Sequence, residues 1–308
     1  MSLSVGIVGL PNAGKSTLFN ALLSRQIAQV AEYPFTTIEP NTGVVEVPDE
    51  RLTKLAELLK PEKVVPAAVK FIDIAGLVKG AHQGEGLGNK FLGHIREVDA
   101  IVHIVRGFTN PNVSHVHGKI DPQGDIKIVN LELEMAEIKK PTIYVLNVDE
   151  HKLTSELANQ LTRELSSQLV NWSASQLVPI CAKLEMDLVE LSPEEKRQYL
   201  TELGIKETGL DKVIQAAYKL LDLLTFFTIK GGKQVQAWSL KSGQTALDAA
   251  GVVHTDFAKN FIKAEVIPFE ELEKIGSWSK AQELGKIRLE GRDYKVCDGD
   301  VIEFKVGV

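Results

Sequence analysis

Nine residues near the N-terminus, Gly9-Leu-Pro-Asn-Ala-Gly-Lys-Ser-Thr17, constrain this chain more than any other feature. They fit the pattern G-x-x-x-x-G-K-[ST] and follow an apolar run, Leu3 to Val8, that reads as a buried strand. Ser16 to Leu23 then has helical spacing. Strand, glycine loop and helix N-terminus in that order make an anion site. Loop N–H groups and the positive end of the helix dipole converge there on phosphate oxygens. Gly9 and Gly14 permit the tight backbone path. Lys15 is expected to reach the terminal phosphates from an exposed loop, and the Ser16 hydroxyl is placed for magnesium. Asn12, Ala13, Gly14, Lys15, Ser16 and Thr17 are the expected phosphate contacts.

Up to about Cys181 the chain alternates strand and helix. Expected strands are Gly43–Val47, Val69–Ile74, Ala100–Val105, Thr142–Asn147 and Leu177–Cys181, with a helix from Arg51 to Leu59 capped by Asp49. Short Val/Ile-rich strands alternating with helices predict an α/β fold, a mostly parallel sheet covered on both faces. At 308 residues the chain exceeds a typical single core, so two domains are expected. A helical stretch from Pro193 to Leu224 leads to a different texture. Phe226–Lys230 and Gln234–Leu240 read as a hairpin around Gly231-Gly232. A helix near Thr245–Gly251 and strands at Phe261–Ile267 and Val301–Val306 follow. The expected division is a nucleotide-binding domain over 1–203, a helical bridge over 204–224 and a small α+β domain over 225–308.

No apolar run reaches the roughly 18 residues of a membrane helix, and no signal peptide is expected ahead of so early a strand. Cys181 and Cys297 lack metal-ligand spacing and read as ordinary thiols of a reducing cytosol. The net charge is −6, and no basic run marks a nucleic-acid footprint.

Asp73-Ile-Ala-Gly76 closes a predicted strand with D-x-x-G. There the Asp73 carboxylate suits magnesium held through water, and the Gly76 N–H suits a terminal phosphate. Thr36-Thr37 is positioned as a first switch, one hydroxyl completing the magnesium shell. After the strand Thr142–Leu146 stands Asn147-Val-Asp-Glu150, where guanine-binding proteins usually carry N-K-x-D. Val148 replaces the lysine and Glu150 the aspartate, so adenine tolerance is expected.

With these motifs the chain resembles the YchF, or Obg-like ATPase, branch of the Obg-related P-loop proteins. The resemblance runs through Gly9–Thr17, Tyr33-Pro-Phe-Thr-Thr-Ile-Glu-Pro-Asn41, Asp73-Ile-Ala-Gly-Leu-Val-Lys-Gly80, Gly84-Glu-Gly-Leu-Gly-Asn89 and the N-x-x-E at Asn147. The last third is similar to a TGS domain, a ubiquitin-like β-grasp module, through Val253-His-Thr-Asp-Phe257 and Asp298-Gly-Asp-Val301. The resemblance implies a cytoplasmic, ribosome-associated ATPase that uses GTP less selectively and modulates translation or the stress response. It implies Mg2+ held by Ser16, Thr37 and Asp73, and catalysis by Lys15, Gly76 and His115. Leu77 stands where related hydrolases carry a glutamine, and His115 is implied as its substitute. Read from the residues alone, His115 is equally an ordinary polar loop residue. Asn12 is implied as a K+ ligand. RNA contact through the TGS module and a monomeric state are also expected. The alternative is a nucleotide-liganded RNA-binding or regulatory adaptor without turnover. One departure stands out. Family members carry a coiled-coil insertion before the strand at Thr142, whereas here only Lys139-Lys-Pro141 follows the helix expected over Asp125–Ile138. A break in the chain is therefore expected near 138–140. That helix is expected to carry Ile128, Leu131 and Met135 on one apolar face.

Overall fold

A computed structural model describes residues 3–28, 41–74, 87–116, 118–153, 177–230 and 233–307. Along the chain the strands are β1 (Ser4–Val8), β2 (Thr42–Glu46), β3 (Lys63–Val65), β4 (Ala68–Asp73), β5 (Ala100–Arg106), β6 (Thr142–Asn147), β7 (Leu177–Ile180), β8 (Leu223–Lys230), β9 (Gln234–Lys241), β10 (Phe261–Pro268), β11 (Arg288–Glu290) and β12 (Asp300–Val306). The helices are α1 (Lys15–Ala28), α2 (Glu50–Leu59), α3 (Leu87–Glu97), α4 (Pro122–Met135), α5 (Glu150–Leu153), α6 (Ala182–Val189), α7 (Pro193–Glu202), α8 (Gly209–Leu220), α9 (Ala246–Val253), α10 (Thr255–Lys259), α11 (Phe269–Ile275) and α12 (Trp278–Glu283). They form two compact units, Met1–Val45 with Val69–Leu221, and Glu46–Ala68 with Asp222–Val308.

The first unit is built on a sheet in the order β2-β4-β1-β5-β6-β7. From β4 to β7 all neighbours run parallel, with Gly6 opposite both Ile72 and Ile101. Every residue of β1 and β5 is buried, as a parallel sheet covered on both faces requires. Phe91, Leu92 and Ile95 of α3 and Val129 and Leu133 of α4 pack with Ile101 of β5. The α8 helix packs against β5, β6 and β7 through a face that includes Leu210, Val213, Ile214 and Ala217. The stretch expected to bridge two domains thus contains a helix that belongs to the first unit, capped by Thr208, and β8 already begins at Leu223.

The α4 helix corrects a second expectation. It starts at Pro122, N-capped by Asp121, and buries Ile126, Val129 and Leu133, while Leu131 and Met135 are 50% and 58% exposed. Two apolar stripes compete on this helix, and the sheet takes the one that continues into buried Ala136 and Ile138. The chain then reaches β6 through a hydrogen-bonded turn. Glu137 is left-handed at φ 57°, the Ile138 N–H bonds Leu133 O at 2.8 Å, and Thr142 Oγ1 donates to Lys140 O. These bonds close the link between α4 and β6 at the place where the relatives' insertion is expected.

The second unit has the order β11-β10-β12-β8-β9-β3. β8 and β9 form the expected antiparallel hairpin, Phe227 opposite Ala237. The chain returns through α9, whose capping box joins Thr245 and Asp248. β12 then runs parallel to β8 and antiparallel to β10. This is a β-grasp, its core formed by Phe226, Leu240, Ala249, Phe261, Val266 and Ile302. Its sixth strand, β3, comes from far upstream and pairs in parallel with β9. The sequence places that stretch in the nucleotide-binding domain expected over 1–203, whereas Glu46–Ala68 belongs to the second unit.

Candidate nucleotide site

The chain leaves β1 through a turn that only glycine fits at two places. Gly9 has φ 155° and Gly14 φ 100°. A Cβ on Gly9 would overlap the Ile104 carbonyl oxygen, and one on Gly14 the Asn147 amide. Between them Asn12 adopts φ 63°, a left-handed value that asparagine tolerates better than most residues. The α1 helix then opens at Lys15 with no acidic residue in its first turn, so its unpaired N–H groups and dipole stay available to an anion. Lys15 is not exposed, as had been expected, but buried, and its ammonium donates to Leu10 O at 2.9 Å. Burial pulls its pKa below the usual lysine range, against the attraction of Asp73.

Asp73 ends β4 beside this loop, its Oδ2 3.5 Å from Ser16 Oγ. Its Oδ1 is buried with no hydrogen-bond partner among the described residues. Burial raises the Asp73 pKa, opposed by Lys15 and the Ser16 hydroxyl. A buried carboxylate oxygen with nothing to accept from is costly. Beside a serine hydroxyl it is the donor set of a hard divalent cation. Ala13 is buried and Thr17 exposed. Thr37, Gly76 and Leu77 lie outside the described residues.

Asn147 ends β6 and ties the site together. Its Nδ2 donates to Ala13 O at 3.0 Å, and its Oδ1 accepts from the Ala182 N–H at 3.0 Å. The side chain thereby joins the phosphate loop to the start of α6. Val148 is buried in an apolar cluster with Val105 and Leu146, its N–H on Ile180 O. Asp149 turns away to accept from the Thr109 N–H and, at 2.7 Å, from Lys152. Glu150 opens α5, and its Oε1 accepts from the Tyr199 hydroxyl at 2.9 Å. Ala182 and Tyr199 escaped the sequence reading. The Cys181-Ala-Lys183 turn after a strand was a local signal for the first, whereas nothing local pointed to Tyr199.

His115 sits apart from this group. Its Nε2 is 3.0 Å from Asp125 Oδ2 in the first turn of α4, and both side chains are buried. The neighbouring Ser114 carbonyl accepts from Asn12 Nδ2 at 3.1 Å, which fastens the phosphate loop to the segment that carries His115. Lys15, Ser16, Asp73 and Asn147 are therefore gathered, while the His115 ring is held by α4. Among the described residues no cluster of three or more His, Cys, Asp or Glu could hold a metal, and no helix is long and apolar enough to cross a membrane.

Residues 4–148 match a family described as a 50S ribosome-binding GTPase. Residues 223–307 match the YchF-GTPase C-terminal family, described as a protein of unknown function. The chain is 43% identical to the ribosome-binding ATPase YchF of Bacillus subtilis and 42% to that of Escherichia coli O157:H7, each alignment covering 100% of both proteins. Those alignments run over 369 positions against 308 residues here, so the relatives carry residues with no counterpart in this chain. The structure of the Schizosaccharomyces pombe YchF GTPase superposes with a TM-score of 0.84 at 30% identity, covering 99% of this chain and 98% of that one.

Proposed function

This chain belongs to the YchF family, and on that premise we propose that it is a cytoplasmic nucleoside triphosphatase switch. It hydrolyses ATP, with GTP used less selectively, and acts on the ribosome. The observation that carries the reading is the buried Lys15 that opens α1, drawn toward Asp73, whose Oδ1 has no hydrogen-bond partner among the described residues. Loop N–H groups from Asn12 to Thr17 and the Lys15 ammonium bind the phosphates, Lys15 exchanging the Leu10 carbonyl for a phosphate oxygen. Ser16, Thr37 and Asp73 would hold Mg2+, which, when bound, neutralises charge on the terminal phosphates. The Gly76 N–H contacts the terminal phosphate. Asn147, Val148 and Glu150 form the base side. Asn12 spends its amide nitrogen on Ser114, and its amide oxygen would take K+. His115 orients the attacking water after leaving Asp125. Ribosomal RNA contact is assigned to the β-grasp unit, and the active form is a monomer.

Lys15→Ala tests this reading. It should lower ATP affinity at least about a hundredfold, the worth of roughly 2.7 kcal/mol for a charge-assisted phosphate contact in a dry site. Because Lys15 is buried, a lowered melting temperature is expected as well. Calorimetry and single-turnover hydrolysis read the two effects. Wild-type turnover in the variant would remove the phosphate-loop assignment, and affinity without turnover in the unaltered protein would leave only the adaptor role.

A further inference from the structure

Arg106 is the last residue of β5 and is 3% exposed. A guanidinium this deep normally faces a carboxylate, yet among the described residues Arg106 takes part in no salt bridge. Nε donates to Phe108 O at 3.3 Å, one terminal nitrogen to Ser114 O at 3.0 Å and the other to Val113 O at 2.8 Å. The guanidinium carbon lies 4.5 Å from the centre of the Phe108 ring. The side chain therefore folds back on the segment that its own strand feeds, gripping it at both ends. Ser114 O is shared, since Asn12 of the phosphate loop donates to the same oxygen. The next residue along is His115.

We infer that Arg106 is a positioning residue for the hydrolysis proposed above. It fixes residues 107–115 so that Ser114 O meets Asn12 and His115 is carried to one place beside the phosphate loop. Three directional hydrogen bonds from one planar group hold a loop more narrowly than a lysine ammonium would, because the fork of a guanidinium is fixed in geometry. The inference rests on the reading that this site turns over nucleoside triphosphate.

The test is a double-mutant cycle on the full-length chain between Arg106→Gln and His115→Ala, read by single-turnover ATP hydrolysis, ATP affinity and melting temperature. Arg106→Gln should lower the turnover rate about tenfold or more while ATP affinity changes less than about threefold, since Lys15 and the loop N–H groups remain. In the His115→Ala background the same change should cost little further turnover, and Arg106→Lys should recover only part of the rate. Equal losses in both backgrounds would show a general packing role and overturn the inference, as would wild-type turnover in Arg106→Gln. If Arg106→Gln does not fold, Phe108→Leu, which removes only the stacking ring, is read in its place. Absence of turnover in the unaltered protein would instead defeat the proposed activity, and this inference with it.

Discussion

At Glu150, proposed above for the base side, one carboxylate oxygen accepts from the Tyr199 hydroxyl at 2.9 Å, and on that proposal the bond disfavours bidentate pairing with guanine. Guanine presents two adjacent N–H donors and needs both oxygens, whereas a single acceptor suffices for the amino group of adenine. Val148 is buried among apolar side chains, so restoring the lysine of N-K-x-D there would place an ammonium in an apolar cluster. The cleaner change is Glu150→Asp with Tyr199→Phe. It should shift the ratio of ATP to GTP dissociation constants toward GTP by about tenfold, near 1.4 kcal/mol. Calorimetry that finds the ratio unchanged would remove Glu150 from the base site. His103 yields a second expectation at this scale. It is 1% exposed, its ring 5.2 Å from that of Tyr144, and neither nitrogen has a hydrogen-bond partner among the described residues. Burial, aided by Lys15, depresses its pKa from 6.5 to about 3. Below pH 6.5 the unfolded chain therefore binds a proton that the folded chain refuses. The loss of stability begins as pH falls through that value and continues toward pH 3. Urea unfolding at pH 7.5 and pH 5 should show the wild type losing about 2 kcal/mol more than His103→Leu. Equal losses would mean that the histidine finds a partner in solution.

Strand β6 shows how one residue at an element's end organises others. Asn147→Ala would strip Ala13 O and the Ala182 N–H of their partners, and each buried group left alone costs about 1–3 kcal/mol. The variant should melt lower without nucleotide and also bind ATP more weakly; a change in only one of these would separate the staple from the site. What could be read in advance follows the same line between local and tertiary causes. The glycine loop, the buried strands and the Asp49 cap of α2 depend on neighbours within a few residues, and the sequence shows them. The α4 stripe does not, because Ile126-Val129-Leu133 and Ile128-Leu131-Met135 are both periodic and only the packed sheet chooses. β3 is too short, three residues between Pro61 and Pro66, to announce itself. The Arg106 grip and the His115–Asp125 bond join groups whose approach is set by the path of a loop, which no period encodes.

At the scale of the whole molecule, chain order and compact unit part company. The β-grasp is completed by a segment drawn from between β2 and β4, upstream by more than 150 residues of the hairpin it joins. By sequence α2 falls within the domain expected over 1–203, because its amphipathic pattern says that it packs, not on what. It buries Leu52 and Leu55, and contacts β9 and α11. β3 extends the sheet at β9, with Val64 opposite Val235. Arg51 fixes the register of the whole arrangement. It donates to Asp49 on its own segment and, at 2.7 Å, to Asp298 of the turn before β12, with its guanidinium 5.4 Å from the Phe227 ring centre. Asp298 also accepts from the Thr225 N–H at 2.8 Å, so one carboxylate links the upstream segment, β8 and the last turn. Asp298 is 57% exposed, so the bridge itself is worth about 1 kcal/mol or less, and the segment's contribution rests as well on the β3–β9 pairing. A fragment spanning 222–308 should therefore be less stable than the same unit in the full chain. A peptide spanning 46–68 added in trans should restore it, raising the melting temperature with the logarithm of its concentration, by the equivalent of about 2.7 kcal/mol at a hundred times its dissociation constant. The Arg51→Ala peptide should restore less. If the fragment melts at one temperature whatever peptide is present, the segment only rests on the β-grasp, and strand β3 adds nothing to its stability.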